Sequence, residues 1–582
     1  MRALSRRLIV LVVLSALVAS CRTRDKAGEN HRSMTEAAEP RGYPAPRWPS
    51  YFKPPQSIED LMPAARSLVR NKSGFLGVGM GVLQAGETVL IVPNLQSDPM
   101  VVEAVVRALA ERTVTARVKY TYELMGQTRE QAQRAEEEEH RGRRIADAGI
   151  YQASSWITGQ FPDPTEPKKW LKERRPDLYA ELFPAEASGA GLPLSFAREL
   201  TLVGAGIQEY LKKNPEVRGA FWGTAGGTGL RRAMYPVQSK FLGTFMTDNI
   251  WNLQSQQTSY PGDVWQLAEE QVLEPLVHAD RIEITDPEGT NVWADLTPDM
   301  AERWSEGAYQ RGHLYMFPNQ ATGRFGYSFV NYPGFQQKWL PREPITLING
   351  TIAGTQGHGG FYPRWEVLFK DGFISDVKGG GAQGEALKEF LHYPGLNERV
   401  YPYHKRPGFW YLYEIALGSH PKGFRNPQPI LESGDTLPER ARSGVVHWGL
   451  GIRLWHDPDA PTESKVWADF TKKNNVPFDH GWHTHTYFTT YKLRLRNANK
   501  WVTLLDKGRM TSLDDPEVRA LASRYGDPDY LLTEDWIPEV PGINAPGDYF
   551  KDYAQRPGDY ALKVIDSAGK GTYKHYFPPV KR

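Results

Sequence analysis

The chain runs to 582 residues, more than a single hydrophobic core usually serves, and its 40% hydrophobic and 12% aromatic content is enough for two large cores. Lys plus Arg at 70 nearly balances Asp plus Glu at 68, a net charge of +2. With no basic stripe carrying interleaved aromatics, this balance excludes nucleic acid as an expected partner.

Arg2, Arg6 and Arg7 precede an apolar run from Leu8 to Val18, which ends in Val18-Ala19-Ser20-Cys21. The run is short for a bilayer span, which takes about 20 apolar residues. Small residues before a cysteine resemble the bacterial lipoprotein signal, cut ahead of Cys21 so that this residue carries lipid. Cys21 is the chain's one cysteine, so the mature body has neither a disulfide framework nor a thiolate metal site. Arg22 in the next place resembles a signal for outer-membrane sorting. The expectation is a lipid-anchored protein of the bacterial cell envelope, at the outer membrane where the cell has one.

Residues 22–56 are polar, then rich in proline, and read as a disordered tether. The first folded region, 57–278, opens on a buried-type strand from Gly86 to Pro93. Asp98 and Pro99 then supply an N-cap and an N1 proline. Val101, Val102, Val105, Val106 and Leu109 recur at helical spacing, and Thr115 to Tyr120 gives another strand. A strand-helix-strand unit implies parallel pairing. The charged stretch Arg129 to Arg144 reads as a solvated helix. The glycines from Gly219 to Gly229 lack both the Lys-Ser/Thr ending of a phosphate loop and dinucleotide spacing, and read as a turn after a strand.

The second region, 279–582, holds most of the histidines: ten of the 14 fall between His313 and His485. His358, His392, His404, His420 and His456 sit among Gly and Pro and read as loop residues. Glu385 starts an amphipathic helix; Trp410, Tyr411 and Tyr413 read as core. If 482–491 is one strand, His483 and His485 lie on one face and invite a cation. Residues beyond Pro538 read as a wrapping extension.

Taken together, Ala279 to Thr290, Gly312-His313-Leu-Tyr-Met-Phe-Pro318, Asn349-Gly350-Thr351, Phe369-Lys-Asp-Gly372, Tyr413-Glu414-Ile-Ala-Leu-Gly418, Val446-His447-Trp-Gly-Leu-Gly451 and Trp482-His483-Thr-His485 resemble the motifs of the thermophilic-type metallo-aminopeptidases. In this family, that of aminopeptidase T and the leucyl aminopeptidase-like proteins, the motifs keep the same order. The resemblance implies an α/β fold: an N-terminal α/β domain with a parallel sheet and a C-terminal metal-binding α+β domain. It also implies His313, Glu414, His447, His483 and His485 as metal ligands, with Glu414 as ligand or bridging carboxylate. Divalent zinc, cobalt or manganese would activate water against a peptide or small-molecule carbonyl. Relatives are homodimers, so a homodimer is expected.

His313 stands where the family has glutamate and His485 where it has aspartate, which removes two negative charges and favours a single ion. The family's tyrosine aligns with Leu454, so a helper in hydrolysis is missing. The dihydroxypyridine dioxygenases resemble the same fold and use one iron(II). Their ligand trio matches His447, His483 and His485, which makes an oxygenase the alternative. A third reading is a non-catalytic lipoprotein that binds a metal or peptides.

Overall fold

The computed structural model describes residues 42–568 apart from 50–51, 75–76, 96, 141–147, 185–195, 223–240, 245–248, 256–259, 306–307, 311–312, 317–347, 403, 405, 428–429, 431–435, 453–460 and 478–481. Residues 43–582 group as one compact unit. Residues 1–41 with Cys21, the glycine-rich residues after Trp222, Leu454, His456 and His480 lie outside the described residues.

The protein is mixed α/β. A four-stranded parallel sheet pairs Thr88–Val92 with Thr115–Val118 on one side and Val217–Trp222 on the other, with Phe241–Thr244 at the far edge. The helix between the first two strands, Pro99–Glu111, begins as its sequence dictates: the Asp98 side chain accepts from the Met100 N–H, and Pro99 occupies the first turn, where no amide donor is needed. Alternation sends Val89 and Ile91 into one core, shared with Val101, Val105 and Leu109, and Leu90 and Val92 into another, with Val203, Ile207 and Leu211 of the helix Phe196–Lys213. Helices thus cover both faces, as parallel sheets require.

Beside a two-stranded ribbon, Ser73–Gly74 with Gly77–Val78, two larger antiparallel sheets make up the rest of the described strands. One has eight strands, with Asn349–Gly357, Gly360–Lys370 and Phe373–Gly379 at one end, Ala279–Thr285 and Asn291–Asp295 in the middle, and Thr490–Leu495 beyond them. The other has five, ordered Trp482–Thr486, Val446–Leu450, Leu412–Leu417, His313–Met316 and Ala308–Gln310. The core under the parallel sheet also takes in Phe361, Tyr487 and Trp536, so side chains from both halves of the sequence share it.

Two readings of the sequence change, and the wrapping extension gains a described helix. The stretch 482–491 is two strands, because the backbone leaves the first sheet at Tyr487 and Phe488. The Phe488 N–H and the Thr489 hydroxyl donate to Asp286 Oδ2, and the chain re-enters the other sheet at Thr490. The proline-rich segment is held to the body over its last part: Arg47 exchanges backbone hydrogen bonds with Ile537, and Phe52 packs edge-on to Trp251. The helix Pro557–Ala568 of the C-terminal extension buries Ala561 and Ile565 in the core.

Strand Asn349–Gly357 lies against Trp482–Thr486 without pairing to it, and glycine permits the approach. A Cβ on Gly357 would stand 2.2 Å from the His483 carbonyl oxygen, and one on Gly354 would stand 2.5 Å from Thr484 Cγ2. Tyr362 locks the junction by hydrogen-bonding the Gln356 carbonyl at 2.8 Å and the His483 carbonyl at 3.1 Å. The Trp365 indole donates to Thr484 Oγ1.

Candidate metal centre

Three adjacent strands at one end of the five-stranded sheet, Leu412–Leu417, Val446–Leu450 and the edge strand Trp482–Thr486, are buried along their whole length, yet they carry one carboxylate and three imidazoles. Register explains how these meet. His447 pairs with His485 on one side and Ala416 on the other; one row along, Gly449 lies between His483 and Glu414. Residues two apart share a face, so Glu414, His447, His483 and His485 all occupy the same side of the sheet.

A bulge supplies a further group. Between Leu412 and Glu414 the register shifts by one residue, so Tyr413 and Glu414 together oppose Gly449. The Tyr413 ring lies over Gly449, where a Cβ would stand 2.3 Å from Cε1 and Cζ. Its hydroxyl donates to Glu414 Oε2 and lies 3.1 Å from His483 Nε2. Tyr413 is buried as a core residue is, and its hydroxyl in addition reaches Glu414 and His483.

His358 is a correction. It sits in a loop, the turn between Asn349–Gly357 and Gly360–Lys370, but its ring lies on the histidine cluster. The ring stacks on His483 at a centroid distance of 3.7 Å and 15° between planes, and its Nε2 is 3.3 Å from His447 Nδ1. The other described histidines assigned to loops stay outside the site. His392 is exposed, His404 holds the Pro402 carbonyl through Nδ1, and His420 Nδ1 accepts from the Lys422 N–H. Glu385 accepts an ion pair from Arg175, a structural role.

His313 opens strand His313–Met316, opposite Gln310. Tyr315 pairs with Ala416, in the row of His447, so the His313 backbone lies two residues, roughly 7 Å, further along the sheet. Its side chain lies outside the described residues.

The donor atoms fall into two overlapping trios, Glu414 with His447 and His483, and His358 with His447 and His485; within each, the atoms lie within 4.8 Å of one another. Ligands about 2.1 Å from a tetrahedral ion are separated by roughly 3.4 Å. His447 Nε2 and Glu414 Oε2 are 3.5 Å apart, which fits. His447 Nδ1 is 3.0 Å from His485 Nε2. When that Nδ1–H donates to His485, the His447 Nε2 lone pair faces the carboxylate, and two electron-rich atoms so placed call for a cation between them. The buried His485 Nδ1 has no hydrogen-bond partner among the described residues.

Burial and the neighbouring rings and Arg440 hold His358 well below the ordinary imidazole range. Burial, then Arg440, lowers His485 to about 3 despite an opposing pull from Glu414. Both rings are neutral near pH 7, the form in which imidazole binds metals.

No protein-family model matches the chain, and no curated protein matches it. Solved structures similar to it include 2,5-dihydroxypyridine dioxygenase from Pseudomonas putida KT2440, with a TM-score of 0.34 and 11% identity, covering 78% of this chain and 98% of that one. They also include AmpT from Thermus thermophilus, with a TM-score of 0.34 and 13% identity, covering 78% of this chain and 99% of that one. Both are weak, fold-level likenesses.

Proposed function

We propose that the protein is a metal-dependent hydrolase that holds one divalent ion, zinc, cobalt or manganese, through Glu414, His447 and His483. The observation that carries this reading is the convergence of one carboxylate and two imidazoles on a buried sheet face, beside a phenol hydroxyl. Two histidines and a glutamate are a donor set of catalytic zinc sites. A bound ion would supply Lewis acidity and lower the pKa of a water at an open position.

The chain's own groups do the rest. Glu414 offsets ionic charge and, through its hydrogen bond from Tyr413, keeps a fixed orientation. The Tyr413 hydroxyl carries one hydrogen and would have to release Glu414 to donate to an oxygen that gains charge as a carbonyl is attacked, a role for which Leu454 left no candidate. Trp448 and Trp482, both fully buried, keep the supporting strands dry, and low local polarity strengthens each of these interactions.

The same donor set, two histidines and a carboxylate, also suits iron(II) and dioxygen chemistry, and the adjoining three-histidine group keeps that second reading alive. Metal analysis of protein purified without chelators is the first test. Zinc, cobalt or manganese with release of amino acids from a peptide panel supports hydrolysis. Iron with dioxygen uptake on phenolic or heteroaromatic compounds supports the oxygenase, and absence of any metal refutes both.

Lipidation of Cys21 would tether this activity to the envelope. Cys21→Ser then moves the protein into the soluble fraction; unchanged membrane retention refutes the anchor.

A further inference from the structure

Of the basic side chains buried around the site, Arg425 and Lys422 meet carboxylates, while Arg442 and Arg440 each keep a buried Nε with no hydrogen-bond partner among the described residues; of these two, Arg440 is the one beside the histidine cluster. Arg425 pairs with Glu439 at 2.5 Å, Lys422 with Asp535 at 2.9 Å, and Arg442 donates to the Tyr487 carbonyl at 3.0 Å. Arg440, on the short 3-10 helix Leu437–Ala441, is only 6% exposed. Of its five N–H donors, NH1 lies 3.2 Å from His358 Nε2, and this is its one hydrogen bond among the described residues. Its buried Nε has no partner among the described residues.

A guanidinium withdrawn from water without a counter-charge costs several kcal/mol. Here it faces imidazoles that are themselves arranged for a cation. The site's one carboxylate, Glu414, cannot neutralise both a divalent ion and Arg440. A charge imbalance of this kind is resolved by an anionic ligand.

We propose that Arg440 is the anion-recognition residue of the site, taking the carboxylate of a small acidic substrate on its Nε edge beside His358 and the metal-binding trio. The inference rests on the metal reading above. A carboxylate matches the guanidinium fork with two parallel hydrogen bonds, which sets orientation as well as affinity. The substrate's acidic end would lie against Arg440 and the turn at His358, and its reacting bond toward Glu414 and Tyr413.

The test uses the full chain loaded with cobalt(II), whose visible spectrum reports on the ion's surroundings, titrated with acetate, inorganic phosphate and neutral acetamide. Wild type should take up cobalt and bind acetate more tightly than acetamide. Arg440→Gln should take up cobalt equally well but bind acetate at least tenfold more weakly, with acetamide unaffected; Arg440→Lys should recover part of the loss. Phosphate binding tighter than acetate, lost in the same variants, supports the anion site and reassigns its ligand to phosphate esters. Equal cobalt uptake with acetate and phosphate affinities unchanged in Arg440→Gln and Arg440→Lys overturns this proposal and leaves the metal reading standing. Failure of wild type to take up cobalt overturns both.

Discussion

Gly449→Ala is the sharpest perturbation of the site that removes no candidate ligand. The new methyl carbon would stand 2.3 Å from Tyr413 Cε1 and Cζ and 2.4 Å from its hydroxyl oxygen, far inside van der Waals contact. The strand cannot retreat, since Gly449 is paired on both sides, to Glu414 and to His483. The ring must move by about 1 Å, and overpacking of this kind costs roughly 1–3 kcal/mol. Moving the ring also breaks the hydroxyl's bond to a carboxylate, worth about 1.5–3 kcal/mol. A total on the order of 3 kcal/mol is expected.

The measurement is urea unfolding of the chelator-treated protein in a double-mutant cycle with Tyr413→Val, which removes the ring the methyl would strike. Gly449→Ala should be costly with tyrosine at 413 and should cost less than about 0.5 kcal/mol with valine there. Equal costs in the two backgrounds would refute the packing of Tyr413 over Gly449, and with it the bulge as the device that brings the phenol into the site.

Three other outcomes follow from burial. Stability without metal should fall as pH drops below about 6.5, because unfolded histidines take up protons that buried His485, lowered to about 3, refuses; the loss from this one ring reaches about 2 kcal/mol by pH 5. On the alkaline side, burial pushes Glu288 up to about 8 and Asp286 to about 6, so the folded state keeps protons the unfolded chain has lost, and stability declines as pH rises from the ordinary carboxylate range through 8. Glu288→Gln should therefore gain stability relative to wild type at pH 8 and little at pH 5; a pH-independent difference contradicts this. Trp156→Ala, emptying a cluster with Phe161, Phe390, Phe409, Trp410 and Trp482, should cost about 3–5 kcal/mol in thermal or urea unfolding. A loss under 1 kcal/mol would mean the cluster is not the support for strand Trp482–Thr486.

Local chemistry made part of this molecule legible. Asp98-Pro99 starts its helix, and the flanking strands pair in parallel, because capping and period-two or helical hydrophobicity act within a dozen residues. Glu414, His447 and His483 were candidate ligands through the family resemblance of their motifs, and register places them on one face in adjoining rows. Tyr413 was hidden because strict alternation puts it on the face opposite Glu414, and only the bulge reverses that. His358 was hidden because its place depends on two sheets meeting through Gly354 and Gly357, contacts more than 120 residues apart in sequence. The one signal that could have found it is a single side chain with chemical function in a turn otherwise made of glycine. The break at Phe488 depends on Asp286, 202 residues upstream, while Tyr487 and Phe488 alone favour strand.

The shared histidine decides how many ions the site holds. His447 belongs to both trios, with Nδ1 toward His358 and His485 and Nε2 toward Glu414. A neutral imidazole has one lone-pair nitrogen and one N–H, so His447 can serve one trio at a time; serving both would require its deprotonation to imidazolate. The carboxylate trio is the better place for a cation, because Glu414 offsets charge there, whereas Arg440 lies 3.2 Å from His358 in the other. Metal titration followed by calorimetry should therefore give one ion per chain. His447→Ala and His483→Ala should abolish uptake, while His485→Ala should keep the stoichiometry and weaken binding by no more than the 10–100-fold typical of an outer hydrogen-bond partner. Two ions per chain, or uptake that survives His483→Ala and fails in His485→Ala, would place the ion in the three-histidine group and move the chemistry away from Glu414.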